Sequence, residues 1–169
     1  MTAFHEPSAT EAGVVHDAIR RWLDTSGALL PILHDIQDAL GYVPRHAVPE
    51  IASALNLSRA EVHGVVSFYH HFRTERAGTH VVQVCQAESC QSRGSSALMA
   101  HASLKLDCDA SHGHATSPNG RYTLEPVYCL GLCAMSPAIT VDGKPYARMT
   151  AARFDACISA LDAAEGAAA

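Results

Sequence analysis

Two cysteine pairs constrain this chain more than any other feature: Cys85-Gln-Ala-Glu-Ser-Cys90 and Cys129-Leu-Gly-Leu-Cys133. Each follows a run that reads as a β-strand, His80-Val-Val-Gln-Val84 before the first pair and 122–128 before the second. Each pair therefore enters a turn at the C-terminal end of a strand. Ends of neighbouring strands lie together, so the two turns can converge on one site. The chain has six cysteines. Its first ten residues carry neither a basic segment nor an apolar one, so no secretory signal is expected. In a reducing compartment clustered cysteines bind metal or do redox work more often than they form disulfides.

Four thiolates are what a [2Fe–2S] cluster requires, two to each iron. Cys90 falls at the start of a predicted helix, where unpaired N–H groups favour the anion. Gly131 lets the backbone between Cys129 and Cys133 turn tightly and aim N–H groups at sulfur. Ala87, Leu132, Ala134 and Met135 are expected to keep water partly away. The same quartet would also serve structural zinc, although zinc knuckles usually hold two residues between cysteines and these gaps hold four and three. Cys108 sits in a hydrophilic loop without a close cysteine partner. Cys157, beside Phe154, Ile158 and Leu161, reads as core packing. His70-His71 and the pair His112 and His114 read as surface or interface histidines rather than ligands.

The first half is helical by periodicity. Val14, Val15, Ala18, Ile19 and Trp22 recur at helical spacing over 11–24, and Leu30, Leu33, Ile36 and Leu40 form a second stripe that Gly41 ends. A third helix is predicted over 47–55. A fourth opens on Ser58-Arg-Ala-Glu61, a capping-box pattern. After Gly78 the character changes to α/β. A helix is predicted over 89–106, a loop over 107–120, strands at 138–141 and 144–149 joined across Asp142-Gly143, and a last helix over 151–163. The domains expected are an N-terminal helical bundle, 11–76, and an α/β domain, 78–165. The net charge of −5 and the absence of a basic stripe argue against nucleic acid. No apolar run is long enough for a membrane span. A cytoplasmic protein is expected. No G-x-G-x-x-G or other phosphate-binding signature occurs.

Further landmarks are Leu33-His-Asp-Ile-Gln37, Gly41-Tyr-Val-Pro44, Val62-His-Gly-Val-Val-Ser-Phe-Tyr69, and Ser136-Pro137 after the second cysteine pair. With the cysteine spacing, they make the chain resemble the thioredoxin-like [2Fe–2S] ferredoxin family, which includes the small iron–sulfur subunit of respiratory NADH dehydrogenase. The likeness covers nearly the whole chain. Within the family the chain is most similar to the gamma subunits of NAD-dependent molybdenum formate dehydrogenases. That likeness rests on Asn56-Leu-Ser-Arg-Ala-Glu-Val-His-Gly64, Phe68-Tyr-His-His-Phe-Arg73 and Val84-Cys-Gln-Ala-Glu-Ser-Cys-Gln-Ser92.

The resemblance implies a thioredoxin-like second domain and one [2Fe–2S] cluster. Cys85 and Cys90 would hold one iron, Cys129 and Cys133 the other. It also implies a direct partner, a flavoprotein subunit carrying FMN and binding NAD. Further iron–sulfur clusters and a molybdopterin subunit that oxidises formate would lie elsewhere in the same complex, so no active site is expected on this chain alone. Alternatives are the equivalent subunit of respiratory NADH dehydrogenase or of an NAD-linked hydrogenase, a free ferredoxin-like carrier, and, of another class, a zinc-stabilised scaffold. The segment His70, His71, Phe72 and Arg73 is the expected subunit contact.

Overall fold

The computed structural model describes residues 8–110 and 113–166. His112 and the first seven residues, on which the reading of the N-terminus rests, lie outside them. The chain divides into two compact units, Met1–Arg76 and Ala77–Ala169.

The first unit is helical. Helix α1, Ala9–Trp22, starts two residues before the predicted position because Ser8 caps it: the Glu11 N–H donates to Ser8 Oγ (3.2 Å) and the Ser8 N–H to Glu11 Oε2 (3.0 Å). Helix α2, Leu29–Leu40, ends at Gly41, whose N–H donates to the Gln37 carbonyl at 2.7 Å. Helices α3, Ala47–Leu55, and α4, Arg59–Phe68, follow, and the Ser58–Glu61 capping box forms as its pattern predicts. The apolar stripes meet in a core of Val15, Ile32, Leu33, Ile36, Ile51 and Val62, all without solvent contact. Each such side chain contributes about 1.5–3 kcal/mol of burial free energy. Phe72 joins this core, so it is not available as a subunit contact. Gln37 holds its segment down, donating to the His71 carbonyl and accepting from the Arg73 N–H, both at 2.7 Å.

In the second unit the described residues form a five-stranded mixed sheet in the order β2-β3-β1-β4-β5. The strands are β1 His80–Cys85, β2 Ala115–Thr116, β3 Tyr122–Val127, β4 Ile139–Val141 and β5 Lys144–Tyr146. Strand β2 lies inside the stretch predicted as loop, its two residues paired with Thr123 and Leu124. Strands β4 and β5 turn across Asp142 and Gly143, both at positive φ (50° and 77°), as the Asp-Gly signal predicts. Strands β1 and β3 run parallel, and β1 pairs antiparallel with β4.

One face of this sheet carries Val82, Val84, Leu124, Ile139 and Val141 into a core closed by two helices. These are α6, Ser95–Leu106, through Leu98, Ala102 and Leu106, and α7, Ala151–Gly166, through Phe154 and Ile158. The alternate positions are polar: Thr140 Oγ1 donates to Gln83 Oε1 (2.8 Å), and Gln83 Nε2 to Glu125 Oε2 (3.0 Å). The single helix expected over 89–106 is two. Helix α5, Glu88–Ser92, stops at Arg93, and α6 starts afresh after Gly94, whose φ of 90° no helix can hold.

Candidate metal centre

The parallel pairing of β1 and β3 sets the site. Cys85 ends β1 opposite Val127, the last residue of β3. The Gln86 N–H donates to the Val127 carbonyl at 2.7 Å, and the Cys85 N–H to the Ala138 carbonyl at 3.1 Å. Cys90 comes from the short helix α5, and Cys129 lies two residues beyond β3. The second turn is built on unusual backbone: Cys129 has φ 86° and Gly131 φ 75°, and Cys133 begins a 3₁₀ turn, Cys133–Met135. Gly131 reaches that φ without the strain a Cβ would bring. Nothing in the spacing announces the same conformation at Cys129.

The four thiols meet as two pairs. Cys129 Sγ and Cys133 Sγ are 3.8 Å apart, and Cys85 and Cys90 are buried together in one small cluster with Ala138. Burial alone would raise the Cys85 thiol, but the N–H groups of Ala87, Cys129 and Leu130, together with the Cys90 thiol, outweigh it and hold Cys85 below the usual range. Two of those N–H groups come from the other cysteine turn, so the turns are in direct contact. Cys133 is pushed up, first by its hydrogen bond with Cys129 and then by the negative charge of Cys129, Cys90 and Cys85. Two sulfurs to each iron is the grouping a binuclear cluster takes. Among the described residues no three or more His, Cys, Asp or Glu gather where they could hold a single metal ion.

Cys85 and Cys90 are each 3% exposed and pack with Ala138, Ala87, Val127, Leu130 and Leu132, whereas Cys129 and Cys133 are exposed. One pair thus faces the protein and the other the surface. Ala87 and Leu132 shield the site as expected. Ala134 and Met135 do not, because the 3₁₀ turn leaves both exposed. Ser89 and Ser136, which enter the sequence reading only as parts of family landmarks, stand beside the sulfurs: Ser136 Oγ lies 3.5 Å from Cys90 Sγ. They are 47 residues apart, and no periodicity or motif links them.

The remaining candidates lie elsewhere. Cys108, placed by its surroundings in a hydrophilic loop, is 2% exposed in the second core, with its thiol donating to the carbonyls of Leu106 and Tyr122. Burial raises its pKa. Cys157 packs half-buried against the same core. His70, His71 and His114 are exposed, and the His71 ring lies 5.0 Å from that of His34.

A family model described as thioredoxin-like [2Fe-2S] ferredoxin matches residues 15–162. The chain is 34% identical over 151 residues to an NADH-quinone oxidoreductase subunit of Rhizobium meliloti (strain 1021), covering 89% of this chain and 88% of that one. It is 30% identical over 149 residues to the corresponding NADH-quinone oxidoreductase chain of Escherichia coli (strain K12), with 88% of both chains covered. To the HndA chain of the NADP-reducing hydrogenase of Solidesulfovibrio fructosivorans it is 33% identical over 127 residues, or 73% of this chain and 71% of the other. Among solved structures, the NAD+-reducing [NiFe]-hydrogenase in the air-oxidized state superimposes with a TM-score of 0.62 at 27% identity. The match covers 80% of this chain and 23% of that longer one.

Proposed function

This chain belongs to the thioredoxin-like [2Fe–2S] ferredoxin family, and on that premise we propose that it is the electron-transfer subunit of a cytoplasmic NAD-dependent formate dehydrogenase. In this reading Cys85 and Cys90 hold one iron of a [2Fe–2S] cluster, and Cys129 and Cys133 the other. The observation that carries it is the contact between the two cysteine turns, where Ser89 Oγ donates to the Cys133 carbonyl at 3.0 Å and Cys90 Sγ lies 3.5 Å from Ser136 Oγ.

When bound, the group supplies one-electron redox chemistry. The chain's own residues do the rest. The N–H groups of Ala87, Cys129 and Leu130 stabilise Cys85 as a thiolate. Ala138, Val127, Leu130 and Leu132 keep water from the inner pair of sulfurs. Cys129 and Cys133 are exposed, which leaves their side open to a redox partner. That partner is a flavoprotein subunit carrying FMN and binding NAD, and the complex also contains further iron–sulfur clusters and a molybdopterin subunit. No active site is assigned to this chain alone, and in this reading the domains are a helical bundle over 11–76 and the cluster-bearing domain over 78–165.

The choice of formate dehydrogenase rests on the local likeness of Asn56–Gly64, Phe68–Arg73 and Val84–Ser92 to gamma subunits of those enzymes. A second reading, the same role in respiratory NADH dehydrogenase or an NAD-linked hydrogenase, is favoured by what the similar proteins are called. Purification of the native complex through a tag on this chain separates them. Co-purifying molybdenum with formate-dependent NAD reduction supports the first reading. Nickel with hydrogen-dependent activity, or quinone-linked NADH oxidation in membranes, replaces it with the second. In this chain purified apart from the other subunits, iron and acid-labile sulfide at about two each are expected. A colourless chain holding zinc would overturn both.

A further inference from the structure

Two hydroxyls bridge the cysteine turns. Ser89 precedes Cys90 in α5, and Ser136 follows the 3₁₀ turn that Cys133 begins. Their Oγ atoms are 2.8 Å apart. Both reach the Cys133 carbonyl, Ser89 at 3.0 Å and Ser136 at 2.8 Å. The Cys90 thiol in turn donates to Ser136 Oγ at 3.5 Å.

Counting protons shows what ligation must change. A thiolate has no proton, so Cys90 as an iron ligand can only accept at this contact, and the hydroxyl must become the donor. Ser136 has a single proton, which it gives here to the Cys133 carbonyl. Ser89 already lies within reach of that carbonyl and can satisfy it alone. The Ser136 proton then serves the Cys90 sulfur, and the Ser89 proton is shared between the Cys133 carbonyl at 3.0 Å and Ser136 Oγ at 2.8 Å. Rotating one hydroxyl completes the arrangement, with no movement of backbone.

We propose that in the cluster-bearing protein Ser136 donates a hydrogen bond to the Cys90 sulfur, with Ser89 holding the Cys133 carbonyl, and that this bond raises the cluster's reduction potential. The inference rests on Cys90 being a ligand, as assigned above. Reduction adds negative charge that spreads onto the cysteine sulfurs. A donor at sulfur therefore favours the reduced state over the oxidised one. Ser136 is a positioning residue, acting through Cys90.

The test is a redox titration of the full chain, in its complex or reconstituted with iron and sulfide, followed by EPR. Ser136→Ala is expected to keep iron, sulfide and visible absorbance while its midpoint moves to more negative potential. Ser136→Thr, which restores the hydroxyl, returns it toward the original value. Ser89→Ala gives a smaller negative shift, because the one remaining hydroxyl must then serve both acceptors. A Ser136→Ala protein with its full cluster and an unmoved midpoint overturns the inference and leaves the ligand assignment intact. If that variant holds no cluster, Ser89→Ala decides: a midpoint moved to more negative potential supports the bond, and an unmoved midpoint overturns it. An unsubstituted chain that binds neither iron nor sulfide fails at the earlier assignment instead.

Discussion

Cys85 and Val127 are register partners at the C-terminal ends of two parallel strands. This single pairing puts the turn that follows each strand beside the other, and the quartet of thiols follows from it. Replacing Cys85, Cys90, Cys129 or Cys133 by Ser is therefore expected to lose or degrade the cluster in every case. Cys108→Ser and Cys157→Ser should keep it, since both residues pack with the second core. Iron, acid-labile sulfide and visible absorbance of the six variants check this. Retention in the first four with loss in either of the last two would reverse the ligand assignment.

Glu11 ties α1 to the residues after α2. Its carboxylate accepts from the Tyr42 hydroxyl and from the Ser8 N–H, and these bonds lower its pKa from 4.5 to about 2. A depressed carboxylate stabilises the fold wherever it is ionised in both states. That contribution is complete above the unfolded value of 4.5 and is lost as pH falls from there toward about 2. Denaturant melts across this range should show stability falling with acid, and Glu11→Gln should flatten that part of the profile. At neutral pH Glu11→Ala should cost about 1–2 kcal/mol, through the lost cap and the stranded Tyr42 hydroxyl.

Phe154 is the largest side chain of the second core without solvent contact. It anchors α7 against the sheet, with its ring 6.0 Å from that of His101 on α6. Truncation to Ala should destabilise the second unit by about 3–5 kcal/mol. Calorimetry of the full chain would register a large shift in the transition of that unit. A change under about 1 kcal/mol would mean that α7 is held by something other than this core.

Thiol labelling of the cluster-free chain should separate buried from exposed sulfur. Cys108 is buried, and burial raises its pKa, so both access and thiolate fraction are low. Cys129 is exposed. Iodoacetamide followed by peptide mass spectrometry should find Cys129 modified much faster than Cys108 in the folded protein, with the gap closing in denaturant. Equal rates in the native protein would contradict the buried position of Cys108.

Much of this is legible along the chain because it is local. Helical periodicity, the Ser58–Glu61 box, the Gly41 stop and the Asp142-Gly143 turn depend on neighbours a few residues apart, and each element stands close to its expected place. The cysteine spacing and the strand before each pair likewise lie in contiguous residues. Contacts between distant segments are not legible. Cys108 has polar neighbours in sequence yet ends in an apolar core, because α6 and β3 close over it. Phe72 reads as a surface aromatic in sequence, but Gln37, 36 residues from the Arg73 N–H it accepts, pins that segment down. The N–H groups reaching Cys85 from Cys129 and Leu130, and the hydroxyl of Ser136 at Cys90, exist only once β1 and β3 lie parallel. Local patterns report torsional preference and amphipathic spacing, whereas the polarity around a sulfur depends on which remote backbone is brought against it.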